Sequence, residues 1–373
     1  MLTGILGTRL LFWVGATVPT PPSSEVIDAV SQVEVTQDET AGNGFQVQLS
    51  LAPDEAGDYR TLSDGALALG NRVWIAVLLG VTPEALIDGI ITHQQVTPAP
   101  EGGGATLTVT GRDVTVMLDL EEKTAKYENQ PDFVIVTQIL ARYAQYGLVP
   151  AVTPTTDVPI VLQRTPWQTE TDLQFIRRLA QRNGYVFHVD PTTIGVNTAY
   201  FGPPVRAAAP QPALTVGMGP DANVASLHFT VDALAPVKAE VRILEPLSKT
   251  VIPIPSVPST RLPPFTMNPV PARRTVVQRN AAKWNPAQAA NASASAVSLA
   301  PEAVSAEGEV DFERYGGVLR ARRSVGVRGV GLDMSGQYWI RRVTHKIDRA
   351  GGYTQSFTLG REGTKSLLPA VVP

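Results

Sequence analysis

The chain has 373 residues, 43 % of them hydrophobic and 17 % charged, so it can bury a large core and does not belong among disordered chains. A net charge of −3 gives no global pull toward nucleic acid or an anionic membrane. The absence of cysteine excludes disulfides and thiolate metal sites and fits assembly in a reducing compartment. Thirty-one glycines and 31 prolines, scattered along a length sufficient for two or three domains, predict many turns and exclude an all-helical protein.

In chain order, Leu10–Val18 is apolar but short, with Arg9 the only basic residue nearby and Pro19, Pro21 and Pro22 following, so it reads as an opening strand rather than a signal peptide. No run reaches the roughly 18 apolar residues a bilayer span needs, and no direct membrane insertion is expected. Val26–Gln37 and Phe45–Leu51 alternate with period two around a loose turn. Val73–Leu79 pairs with Leu86–Val96 across Gly80–Glu84, and Ala105–Thr110 completes a set that can curl into a barrel. Residues 1–113 are therefore expected to form a first antiparallel β-barrel domain.

Residues 114–200 read as an α/β insert. Val136, Ile139, Leu140 and Tyr143 make one face of a helix over Asp132–Tyr146, with Asp132 as N-cap and Gly147 at its end. A second helix over Thr171–Asn183 carries Leu173, Ile176, Leu179 and Ala180 as its apolar stripe, with a weak capping box at Thr169 and Asp172. It stops at Gly184, and the strand Tyr185–Val189 follows. Residues 201–373 are expected to form a second β-barrel, with strands near Ala213–Val216, Ala225–Val231 and Ala239–Leu244. A Pro-rich and Ala-rich connection over 246–306 interrupts it, extended at first and then, over Gln278–Ala306, a helix interrupted by Pro286 and Pro301. Glu309–Arg320 leads into the closing strands.

The expected fold class is thus mainly β with an α/β insert, and the two β units are related by an internal repeat. Thr92-His93 aligns with Thr344-His345, and Gly111-Arg112-Asp113 aligns with Gly360-Arg361-Glu362. His93 to Ala105 spans 12 positions and His345 to Thr354 spans 9, so the first hairpin loop is read as three residues longer. Each copy reads strand, Gly-containing loop, strand, then Gly-Arg-acid.

Catalytic chemistry finds little support. The four histidines, His93, His188, His228 and His345, fall in no ligand spacing, and for the matched pair a shared structural hydrogen bond is the plainer reading. Asp119, Glu121 and Glu122 beside Lys123 read as a solvated turn, and Gly326, Gly329 and Gly331 as turns or bulges. No catalytic, cofactor-binding or metal-binding residue is expected, and no enzyme activity. Arg320, Arg322, Arg323, Arg328, Arg341 and Arg342 alternate along strands; they are either an ordinary solvated face or an electrostatic contact with an acidic partner ring.

The segment Thr169–Val189 (TETDLQFIRRLAQRNGYVFHV) resembles the phage late control protein D family, the baseplate hubs of contractile tails. The hairpin sequences SGQYWIRRVTHKI and YTQSFTLGRE resemble that family's closing strands. RLLFWVG, GNGFQVQLSLA and IDGIITHQQ are similar to hub proteins of extracellular contractile injection systems in particular. The family is related to the hub portion of type VI secretion spike proteins. The resemblance implies a homotrimer in which two β-barrels per chain make a pseudo-sixfold ring, joining a hexameric inner tube to a trimeric spike and templating tube assembly. It implies as partners an inner tube ring, a separate spike (tip) protein, since the sequence stops at Pro373 without a spike segment, and other baseplate proteins. Nucleic acid is not among them. Assembly in the cytoplasm as part of a phage tail-like particle, either released or membrane-anchored as that particle, is expected. The rival readings are an envelope-degrading spike protein, with Glu121 the first residue to replace, and a surface glycan binder using Trp167 and Trp339.

Overall fold

The computed structural model describes residues 2–3, 9–100, 103–155, 157, 159, 165–245, 248–259, 261–279, 281 and 284–368. Pro246, where the Pro-rich connection was expected to begin, and the end of the chain at Pro373 lie outside the described residues.

The architecture is mainly β. Among the described residues one 13-stranded sheet runs through both halves. From one edge its order is Leu2–Thr3, Arg9–Gly15, Arg72–Leu79, Thr82–Pro98, Ala105–Asp113, Gly44–Leu51 and Val30–Asp38. It continues through Gly336–Asp348, Tyr353–Arg361 and Val304–Asp311 to Val224–Val231. The strands from Arg9–Gly15 to Val30–Asp38 curl around one apolar core that includes Phe12, Val33, Val47, Ile75 and Leu107. The later strands, with Gln211–Thr215 and Ser324–Arg328, enclose a second core built on Leu214, Val304, Val325, Ile340 and Leu359. Alternating burial along Val30–Asp38 and Tyr353–Arg361 is what seats one face of each strand on its core.

Two β units are present, but among the described residues neither closes into a barrel. The reason is the strand Val30–Asp38. Its free edge pairs with Gly336–Asp348, from Arg342 opposite Asp38 to Asp348 opposite Gln32, so the edge that would seal the first unit joins the second instead. Gly336–Asp348 is long enough for two duties. Its first half pairs with Ser324–Arg328, its second half with Val30–Asp38, and the register shifts between Ile340 and Arg342 along its opposite edge.

Local chemistry explains several departures from the expected elements. Val26 is helical, not extended: Ser23 caps the short helix Ser24–Ala29 by accepting the Val26 N–H, and the strand starts at Val30. The helix Asp132–Ala141 is preceded by Pro131, and Asp132, one position inside, is buried against Arg182 and Asn183. Gly147 takes a left-handed conformation at φ 72° but ends a separate short turn, Ala144–Tyr146. Thr171, not Thr169, caps the helix Asp172–Asn183.

Pro286 opens the helix Pro286–Leu299 instead of interrupting it, behind a capping box made by Asn285 and Gln288. The stretch ahead of it carries paired strands, with Val251–Ile254 against Val237–Leu244 and Thr266–Pro269 against Gly363–Ser366. Val304–Asp311, expected only as a lead-in, is a full strand between Tyr353–Arg361 and Val224–Val231. Among the described residues no helix is long and apolar enough to cross a membrane.

Candidate functional site: the hairpins and the charged seam

The repeat occupies two hairpins of the same design. Thr82–Pro98 returns along Ala105–Asp113, and Gly336–Asp348 returns along Tyr353–Arg361; both are antiparallel and both carry a register shift in the first strand. The matched pairs sit in related topologies but at different heights. His93 lies opposite Thr110, next to Gly111, whereas His345 lies opposite Gln355, nearer its turn. The environments differ accordingly. His93 is exposed, while His345 is fully buried with Nδ1 2.9 Å from the Tyr353 hydroxyl, so the shared hydrogen bond expected for the two histidines does not form. Burial, with Arg320 adding to it, pushes the His345 pKa down to about 3.

The threonines also part ways. Thr92 donates to the Thr110 carbonyl at 3.3 Å, and Thr344 meets Thr36 across the seam. Both Gly-Arg endings sit where a side chain has no room. A Cβ on Gly111 would come 2.2 Å from the Ile90 carbonyl oxygen, and one on Gly360 would come 2.6 Å from the Glu302 carboxylate. Arg112 reaches Asp119 at 4.0 Å near the surface. Arg361 is buried under the Tyr338 ring and donates to the carbonyls of Gly363, Ser335 and Asp333.

Four of the six arginines of the expected patch bind acidic residues of this same chain. Arg320 reaches Glu84 at 2.9 Å, and Arg342 reaches Asp38 at 2.6 Å across the seam. Arg322 joins three parts of the chain: it donates to the Asp38 carbonyl and Asn43 of the first unit and, at 2.7 Å, to Asp190 of the insert. Arg341 lies 3.1 Å from Glu302 and 3.6 Å from Glu39. Arg328 donates to Thr215, and Arg323 is exposed. Burial alone would raise the Asp190 carboxyl, but His188 and Arg322 outweigh it and hold the group well below the usual carboxylate range.

Sequence reading missed a second cluster behind this seam. Glu302, buried, takes Arg206 at 3.1 Å and Arg261 at 2.9 Å in addition to Arg341, and Arg206 also pairs with Glu362. The five contributors come from distant stretches with no common spacing, and the sequence marked only two of them, Arg341 in the arginine run and Glu362 in the Gly-Arg-Glu ending. One further network ties the insert to the first unit and another braces the insert internally. Arg72 clasps Asp88 through two 2.7 Å bonds and donates to the Tyr146 carbonyl, while Asn197 donates to Asp88. Asp172, inside the segment Thr169–Val189, accepts from Gln168, Lys123 and Tyr143, each at 2.7 Å. Burial would raise its pKa, and those three donors bring it below the ordinary value.

The residues of the rival readings are placed as follows. The Glu121 side chain is 77 % exposed, 3.9 Å from Lys123. Trp167 is half-exposed under Lys126, and Trp339 is buried with its indole N–H on Glu39. Among the described residues no group of three or more His, Asp or Glu could hold a metal ion.

The sequence model of the Alg8 N-terminal domain matches residues 43–240, from Gly44–Leu51 through the insert to Val237–Leu244 and more than half of the chain. The chain belongs to the Alg8 N-terminal domain family. No curated protein matches it. Solved structures share the fold of this Alg8-family chain. The 43 kDa tail protein of prophage MuSo2 from Shewanella oneidensis is 14 % identical with a TM-score of 0.65, over 95 % of this chain and 99 % of that one. The tail protein from Neisseria meningitidis is 14 % identical with a TM-score of 0.62, over 93 % and 96 %. A component of the Escherichia coli type VI secretion system, described as structurally similar to two bacteriophage T4 tail proteins, is 15 % identical with a TM-score of 0.55, over 92 % and 77 %. The chain thus has the fold of phage tail and type VI secretion components.

Proposed function

We propose that the chain is a structural, non-catalytic hub of a phage tail-like contractile particle, of the late control protein D type. It would act as a homotrimer whose six β units adapt a hexameric inner tube to a trimeric spike. The observation that carries this reading is the pair of like hairpins held in one sheet. One chain offers two similar faces in fixed relation, so three chains offer six. The open ends of the sheet support it, because an edge strand such as Val224–Val231 presents a row of backbone groups to a neighbouring subunit. The inner tube ring, a separate spike protein and other baseplate proteins are the partners of this role. The particle is assembled in the cytoplasm, and the hub templates the first tube ring.

The test is assembly of the purified chain, followed by light scattering and electron microscopy. Val96 and Val231, both exposed on strands, are each replaced by lysine. Rings that vanish in the variants while the helical circular dichroism persists support the hub. Rings unaffected by both changes contradict packing through these strands.

A further inference from the structure

A solvent-open recess of about 1030 Å³ lies where the first β unit, the insert and the helix Pro286–Leu299 meet. Its walls include Thr40, Arg177, Leu299 and Arg341. It shares Glu39, Val186 and Pro204 with a smaller pocket of about 490 Å³ whose apolar side is Trp339, Tyr200 and Val205. Ligand sites favour such junctions between structural units.

Arg177 sets this recess apart. Every other guanidinium at the junction is engaged: Arg341 with Glu302, Arg322 with Asp190 and Arg261 with Glu302. Arg177, half-buried on the helix Asp172–Asn183, has no hydrogen bond or ion pair among the described residues. In the adjoining pocket three buried polar atoms make no hydrogen bond, Glu39 Oε2, His188 Nδ1 and Arg322 Nε, although Arg341 Nε lies 3.6 Å from Glu39 Oε2. A buried donor and a buried acceptor left open beside an apolar wall carry a desolvation cost that a ligand with its own donor and acceptor removes.

We propose that this recess binds a short peptide segment of a partner protein in which an aromatic residue precedes a carboxylate. The carboxylate pairs with Arg177, the aromatic ring lies on Trp339, Tyr200 and Val205, and the peptide amide offers its N–H to Glu39 and its carbonyl to Arg322. A phosphorylated ligand fits less well, because Glu39 lines both cavities and repels the second charge. This inference goes beyond the hub reading and does not need it, since one chain holds the whole recess. Failure of ring assembly leaves it standing, and its own failure leaves the hub standing.

The probes are acetyl-Phe-Asp-amide and its neutral twin acetyl-Phe-Asn-amide, titrated into the full chain by calorimetry. The Asp peptide is expected to bind saturably and the Asn peptide about tenfold more weakly, the usual worth of a charge-assisted pair. In Arg177→Gln the two peptides should bind alike, with thermal unfolding little changed because Arg177 makes no hydrogen bond or ion pair among the described residues. Equal binding of the two peptides to the unaltered chain, or no saturable binding of either, overturns the proposal whether or not the variant folds.

Discussion

Thr36 and Thr344, 308 positions apart in the chain, face each other across the seam between the two β units with their hydroxyl oxygens 3.1 Å apart. They mark the place where the edge of the first unit becomes the interior of a larger sheet. Directly opposed residues of an antiparallel pair hold their Cβ atoms close enough for a cross-link. In a chain without cysteine, Thr36→Cys with Thr344→Cys should therefore yield one intramolecular disulfide, visible in peptide mass maps under oxidising conditions. Closing so long a loop should stabilise the oxidised form by about 2–4 kcal/mol over the reduced one in urea unfolding. Free thiols after oxidation would mean that the units do not share this seam.

The two Gly-Arg endings respond differently to one methyl group. Gly111→Ala sets a Cβ against the Ile90 backbone oxygen and the Phe45 ring, neither of which yields without moving the sheet. Gly360→Ala meets the carboxylate of Glu302, a side chain, but one fixed by Arg206, Arg261 and Arg341. Each should lower unfolding free energy by about 1–3 kcal/mol as overpacking does, with Gly111→Ala the more damaging. Denaturant midpoints check the order, and a milder Gly111→Ala would contradict it.

His345 gives the fold an acid sensitivity of its own. Its folded pKa of about 3 lies below the ordinary 6.5, so the folded state binds fewer protons than the unfolded chain between these values. The stability held by the neutral ring is full above about pH 6.5 and is lost as pH falls toward 3, at roughly 1.4 kcal/mol per pH unit. His345→Gln removes the titrating group, so the gap between variant and parent stability should narrow as pH drops from 7 to 4. Measured by urea unfolding across that range, a constant gap would show that His345 is not held neutral.

Strand periodicity made most of the sheet legible, because Val30–Asp38, Gly44–Leu51 and Ala105–Asp113 each bury alternate residues. The helix Asp172–Asn183 was legible for the corresponding reason: its apolar stripe and Gly184 agree with each other. The seam was not, since period-two alternation says which face of Val30–Asp38 is buried but not which strand takes its edge. The arginine patch was visible as a run of charge, whereas its acids, Glu84, Asp190 and Glu302, are scattered over three regions that only the fold assembles. The His93 and His345 match places the two histidines at different heights in like hairpins, which hydrogen-bond register alone reveals.

The molecular mass of the purified chain in solution tests the central claim most directly. The account predicts a particle of three chains, about three times 39.8 kDa by light scattering, that appears in electron micrographs as a ring with six similar lobes. A stable monomer at working concentrations, with no ring in the micrographs, would contradict it.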